Sequence, residues 1–246
     1  MPPRHHRAVD RIVAIMEEAS RATNGISLAE LAQRLKAPKT SIQELTNGLL
    51  ATGYLVEHDR RFVLGPGAYV LSLATPGGAL RQINHAELER AQAHVGVTLF
   101  VGTRVGDDQV FVDRAGEDVL MDFVSATRPR RPLLTTATGK VILTYMPVSE
   151  RNEYLSRKEQ EEPVTVAAFL DELTGIRDAK LAFNPASTIP GRFAVATPLF
   201  DPDGAYVAAL CAVGGAEIQG KLDAVGARLL EAVDAWRWSG QPRTGS

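Results

Sequence analysis

The sequence predicts an α+β protein in two domains, and three observations carry that reading. Between Ser27 and Leu50 apolar residues recur at helical spacing in two short runs, followed at once by two brief β-rich runs. Thr75-Pro76-Gly77-Gly78 is the clearest turn-forming cluster in the chain. Beyond Gly96, β-rich segments with Gly/Asp turns alternate with amphipathic helical runs, the pattern of an antiparallel sheet with helices on its faces. The predicted boundaries are 1–75 for the first domain, 76–94 for a linker helix and 95–240 for the second domain.

The elements of the first domain follow in order. Met1 to His6 is polar and reads as a disordered leader, and Val9, Ile12, Val13, Ile15 and Met16 then form the apolar face of a helix over Ala8 to Ala19. Asn24-Gly25 marks a turn. Ser27 is a good N-cap, Glu30 three residues later completes a capping box, and Leu28, Leu31 and Leu35 give a short helix. Lys36 and Ala37 interrupt it. Pro38 fits the first turn of a second helix, whose apolar stripe is Ile42, Leu45, Leu49 and Leu50. Gly53 is the expected C-cap, and Tyr54 to Val56 and Arg61 to Val63 read as strands around the polar turn Glu57 to Arg60.

Two short helices joined by a tight turn and followed by a hairpin make a winged helix-turn-helix. Lys39, Thr40, Ser41, Gln43, Glu44 and Asn47 fall off the apolar stripe of the second helix. With Arg34 and the wing pair Arg60 and Arg61 they supply the cations and donors that phosphates and base edges require. The same spacing would also suit a helical hairpin and a β-hairpin within a core, so the residues alone leave both readings open.

Pro66 to Ala74 is helical in pattern, and Ala79 to His94, with Leu80, Ile83, Leu88 and Ala91 on one face, reads as a continuous linker helix. Val97 to Val105, Gln109 to Arg114 and Val119 to Val124 are predicted as a three-stranded meander. Helices are expected over Thr136 to Met146, Glu150 to Lys158 and Val166 to Ile176. Strands return at Lys180 to Phe183, Phe193 to Phe200 and Ala205 to Val213, the last two joined by Asp201-Pro202-Asp203-Gly204. A long amphipathic helix over Ile218 to Trp238 closes the chain. The layout is GAF-like or PAS-like.

Composition narrows the function. Of 246 residues, 45% are hydrophobic and 23% charged, ordinary for a globular chain, and the net charge of −2 supplies no global positive field, so DNA contact must rest on local basic placement. The single cysteine, Cys211, excludes an internal disulfide framework. No apolar run approaches the ~20 residues that span a bilayer, so a cytoplasmic chain without a membrane partner is expected. His5, His6, His58, His85 and His94 are scattered without metal-ligand spacing, and no cofactor or metal is expected. Thr135 to Lys140 lacks the glycine spacing of a phosphate loop. The amides opening the helix near Ala137 could still hold a ligand oxygen. No nucleophile–base pair stands out, so the chain reads as a non-enzyme.

The ordered motifs resemble the IclR family of bacterial transcriptional regulators. In the first domain the resemblance rests on Arg7 to Ala19, SLAELAQRLKAPKTSI, the ATGYL before the wing, and FVLGPGAYVLSLA; in the second, on Arg131 to Pro147 and Pro190 to Gly215. Gln43 and Glu44 stand where the family usually has a basic residue and a His or Tyr. The resemblance implies operator DNA and a small-molecule effector as partners, a homodimer or homotetramer, and pairing through the linker helix. Carried over by motif, the effector positions are Leu120 and Phe123 on the expected third strand, Ala137 and Thr138 at a helix start, Asn184, Ala194, Cys211 and Val213. Ala194 replaces a family Cys, and Cys211 and Val213 replace a Ser-x-Ser pair. This loss of polarity implies an effector with a largely apolar or aromatic body and a small polar end. The alternatives are a ligand-independent repressor and an enzyme using the same crevice.

Overall fold

In the computed structural model, which describes residues 5–74, 79–185 and 188–238 and not the side chains of Ala74, Ala79, Arg81, Val119, Leu120 and Phe123, the chain divides into two units, Met1–Gly77 and Gly78–Ser246. The leader residues Met1 to Arg4 and the predicted boundary at Thr75 to Gly78 lie outside the described residues.

The first unit runs α1 (Arg7–Arg21), β1 (Ile26–Ser27), α2 (Leu28–Arg34), α3 (Lys39–Ala51), β2 (Leu55–His58), β3 (Arg61–Leu64) and α4 (Pro66–Ala74). The three strands form an antiparallel sheet in the order β1-β3-β2. Ile15, Leu31, Ile42, Leu49, Leu55 and Phe62 bury one common core, as their helical and strand spacing requires. Pro38 sits at the N-cap of α3, one residue before the expected position, where its missing N–H costs nothing. The hairpin turn narrows to Asp59 and Arg60, with φ of 50° and 61°, and His58 pairs with Arg61 across it.

The capping box of α2 forms as the sequence predicts: the Glu30 amide donates to Ser27 Oγ at 3.3 Å and the Ser27 amide to Glu30 Oε2 at 2.8 Å. Those Ser27 hydrogen bonds, with the Arg61 guanidinium beside them, hold the Glu30 carboxyl down to about 2. A lowered carboxylate pKa stabilises the fold fully above its unfolded value and loses that contribution as pH falls through the folded one. Ser27→Ala removes the N-cap of α2, which typically costs about 1 kcal/mol. It should also weaken the loss of stability expected between about pH 4.5 and 2, measured by unfolding at a series of pH values.

The second unit opens with a 3₁₀ turn at Ala79–Gln82, and then α5 (His85–Val95) starts afresh with Asn84 as its N-cap. The expected continuous linker helix is thus broken: the Asn84 side chain accepts from the Ala86 amide at 3.0 Å, competing with a through-running helix. There follow β4 (Thr98–Val105), β5 (Asp108–Ala115), α6 (Val119–Thr127), β6 (Arg131–Pro132), α7 (Ala137–Tyr145), α8 (Val148–Glu161), α9 (Pro163–Ala179), β7 (Ala182–Pro185), β8 (Phe193–Phe200), β9 (Tyr206–Gly214) and α10 (Leu222–Asp234).

Two more expectations are corrected here. Val119 to Val124 is helix α6 and not a third meander strand; Met121 and Val124, three apart, are the buried pair, and Asp118 accepts from the Met121 amide to start the turn. The closing helix is shorter than predicted. Gly220, with φ of 74°, separates a 3₁₀ turn at Ala216–Ile218 from α10, which ends before the buried Trp236 and Trp238.

The antiparallel sheet has the order β6-β5-β4-β9-β8-β7. Strict alternation divides its two faces: on β9, Ala209, Cys211 and Val213 join the core under α6 to α9, whereas Ala208, Leu210 and Ala212 face α5 and α10. Phe100 on β4 and Ala196 on β8 point to the first face, beside which the cleft described below opens.

Candidate DNA-binding and effector sites

Helix α3 buries Ile42, Thr46 and Leu49 and turns its other edge outward. Lys39, Thr40, Glu44 and Asn47 are exposed there, and Gln43 is half-buried with its Nε2 donating to Asn47 Oδ1 at 2.9 Å. Ser41 Oγ accepts from Arg11 Nη1 at 3.0 Å, an anchor between α1 and α3. Arg34 is exposed but donates to Glu18 at 2.7 Å.

The two wing arginines have different environments. Arg61 folds back: its Nε donates to the Asn24 carbonyl at 2.9 Å, its Nη2 to the Gly25 carbonyl at 2.9 Å, and it pairs with Glu30 at 3.1 Å. Arg60 stands exposed at the hairpin tip, without a partner among the described residues. The two-residue strand β1, which brings the Asn24-Gly25 turn beside Arg61, is too short to be read from periodicity.

In the second unit, the sheet and the start of α7 enclose a narrow cleft of about 20 Å³, room for about one water molecule, with a mouth that opens to solvent. Ala137, Thr138, Asn184, Ala194, Cys211 and Val213 all line it. Leu120 and Phe123 sit on α6, with side chains outside those described; their neighbour Met121 lines the cleft. Thr136 caps α7, its Oγ1 accepting from the Gly139 amide at 3.0 Å and donating to the Pro132 carbonyl at 2.8 Å. Asn184 donates to Thr188, whose hydroxyl donates to the Thr135 carbonyl at 3.1 Å. Burial pushes the Cys211 thiol up to about 11, against the pull of the Thr138 hydroxyl and Arg131, so it is a neutral, apolar wall.

The cleft also holds polar groups that the motifs did not single out: Gln109, Arg131, Thr136 and Arg192. The expectation of nearly complete polarity loss therefore describes the carried positions and not the cleft as a whole. Gln109 shares the inward register of β5 with Phe111, and that alternation was the available signal. Arg131 lies on the two-residue β6, which has no periodicity to read. Arg192 reaches Asp118 at 3.0 Å. Among the described residues no three His, Cys, Asp or Glu side chains group to hold a metal ion, and no helix is long and apolar enough to cross a membrane.

A winged helix-turn-helix with an outward polar edge, carried on one chain with an antiparallel-sheet unit that has a polar-lined cleft at a helix start, defines a class: transcriptional regulators that pair a DNA-binding unit with an effector domain. Residues 8–59 match the IclR helix-turn-helix domain and residues 75–236 match the C-terminal domain of the bacterial transcriptional regulator IclR. The chain belongs to the IclR family. It is 28% identical over 205 residues to the probable transcriptional regulator SauR of Cupriavidus necator, covering 78% of this chain and 79% of that protein. The fold is shared with an IclR transcriptional regulator from Alicyclobacillus acidocaldarius, with a TM-score of 0.68 and 21% identity over 94% of this chain and 96% of that one. It is shared too with an IclR homologue from Microbacterium hydrocarbonoxydans crystallised with 4-hydroxybenzoate, with a TM-score of 0.62 and 19% identity over 93% of this chain and all of the other, 100%. The relatives are named as transcriptional regulators, and the chain is a regulator rather than an enzyme.

Proposed function

We propose that this regulator senses, in the cytoplasm, a small metabolite with an apolar or aromatic body and a polar end, bound in the cleft at the start of α7. Occupancy shifts the affinity of paired winged units for a quasi-palindromic operator. The observation that carries the reading is the convergence of Ala137, Thr138, Asn184, Ala194, Cys211 and Val213, from four elements, on one cleft. The 4-hydroxybenzoate bound by the Microbacterium homologue supports an aromatic ligand.

In this reading Lys39, Thr40 and Arg60 contact phosphates, while Gln43, Glu44 and Asn47 meet base edges. A homodimer or homotetramer presents two winged units to successive major grooves; the exposed apolar Leu64, Tyr69 and Val70 around α4 support burial against a second copy. A ligand alters operator affinity only if it binds one arrangement of the assembly better than another.

Fluorescence anisotropy on the DNA upstream of the protein's own gene tests the proposal. The expected result is salt-dependent binding that a small aromatic or apolar acid shifts by about fivefold or more, the usual size of coupling between sites. Binding that no such compound alters would identify a ligand-independent repressor instead.

A further inference from the structure

At one end of the cleft the polar groups are left unmatched by the protein itself. Gln109 is fully buried, yet neither its Nε2 nor its Oε1 has a hydrogen-bond partner among the described residues. Such a group forfeits its hydration without replacement, so buried carboxamides are ordinarily paired. Directly across the β5–β6 ladder, in register with it, stands Arg131. Residues opposite each other in an antiparallel pair share a face, with Cβ atoms about 4.5–5.5 Å apart. Both side chains line the cleft.

Arg131 has no carboxylate partner among the described residues; the titratable group that acts on it is the Cys211 thiol, which burial keeps neutral. Its guanidinium is itself desolvated, which lowers its pKa. The other lining cation, Arg192, is already matched by Asp118. The cleft therefore holds one uncompensated positive charge beside one unsatisfied carboxamide. Water could satisfy Gln109, but it cannot neutralise a guanidinium. Gly102, in β4, keeps this end open: a side chain there would overlap Thr138 and come within 3.3 Å of Gln109 Oε1.

Building on the effector reading above, we propose that Arg131 and Gln109 form an anion-selecting end of the cleft, so that the ligand is a monocarboxylate whose carboxylate meets the guanidinium and the Gln109 Nε2. The apolar body then lies against Met121, Ile189, Ala194 and Val213. A single charge is specified, because the charge of the other lining cation, Arg192, is balanced by Asp118, which leaves its buried Nε as a neutralised donor without a partner among the described residues. Arg131 and Gln109 act as specificity determinants: they choose the charge of the ligand, while the apolar wall accepts its body.

The experiment uses the full chain and three probe acids, benzoate, hexanoate and pyruvate, each against its neutral amide, by thermal shift and calorimetry. At least one acid should stabilise the protein while its amide does not. Arg131→Met should lose at least tenfold in affinity for that acid and its preference over the amide, the scale of a charge-assisted hydrogen bond. Arg131→Lys should retain the preference. Gln109→Glu supplies an internal carboxylate to Arg131, so it should lose acid binding with no fall in the melting temperature of the free protein, which separates loss of the site from loss of the fold. The proposal is overturned if no acid outperforms its amide, or if Arg131→Met or Gln109→Glu binds the acid as the wild type does. DNA binding is scored separately: an acid that binds through Arg131 without altering operator affinity would refute ligand-controlled DNA binding and leave the anion end standing.

Discussion

Replacing Gly139 with alanine is expected to destabilise the second unit by about 3 kcal/mol, at the upper end of what overpacking a tight contact costs. Gly139 lies in the first turn of α7, where a Cβ would overlap the Leu133 backbone, lying 2.6 Å from its carbonyl carbon and closer still to its Cα and oxygen. Backbone cannot swing aside as a flexible side chain can. The helix would have to lift from the segment leading into it, carrying Ala137 and Thr138 out of the cleft wall. Gly175→Ala on α9 is the internal comparison, because nothing lies within 4 Å of a Cβ there. It should stabilise by up to about 1 kcal/mol through helix propensity alone. Denaturant unfolding of both variants checks the pair; equal effects would mean that the close approach of α7 to Leu133 is wrong.

The second large effect is expected in DNA binding, and it separates residues adjacent in sequence. Lys39→Ala and Arg60→Ala should each weaken binding to specific and non-specific DNA alike. The slope of log affinity against log salt should fall by about one for each copy that touches a phosphate. Arg61→Ala should behave differently. Its guanidinium holds the Asn24 and Gly25 carbonyls and Glu30, so its loss should cost the winged unit about 1–2 kcal/mol in unfolding, mostly from the carbonyl bonds, since the ion pair is half exposed. The salt slope of the folded fraction should be unchanged. A slope that falls with Arg61→Ala and not with Arg60→Ala would reverse the roles of the two side chains.

The contrast shows what one-dimensional pattern contains. Ser27, Glu30 and the Leu28-Leu31-Leu35 run state α2 and its cap outright, since every interaction involved lies within one helical turn. The alternation along β4, β8 and β9 likewise needs only a period of two. Where the spacing misleads, a local competitor decides: Asp118 starts a turn at Met121 and makes a helix of an apolar run that would also suit a strand, and Asn84 restarts the helix expected to run through it. The fate of Arg61 and the unmatched state of Gln109 depend on two-residue strands, β1 and β6, whose pairing is wholly non-local. The carried positions of the cleft were legible because motifs mark them. Its charged end was not, because Arg131 lies on a two-residue strand with no periodicity, and the alternation that turns Gln109 inward says nothing of the residue across the ladder from it.

The hairpin tip has one more implication. Asp59 and Arg60 both take positive φ, a conformation that glycine adopts freely, that asparagine and aspartate tolerate, and that costs a residue such as Arg60 roughly 1–2 kcal/mol. Asn-Gly at these two positions would give a sturdier fold and a blunt, uncharged point. The chain instead carries a strained arginine at the hairpin tip, so selection for stability alone, as in a thermal-resistance screen, should replace that arginine early; under the proposed phosphate contact of Arg60, DNA affinity should fall with it.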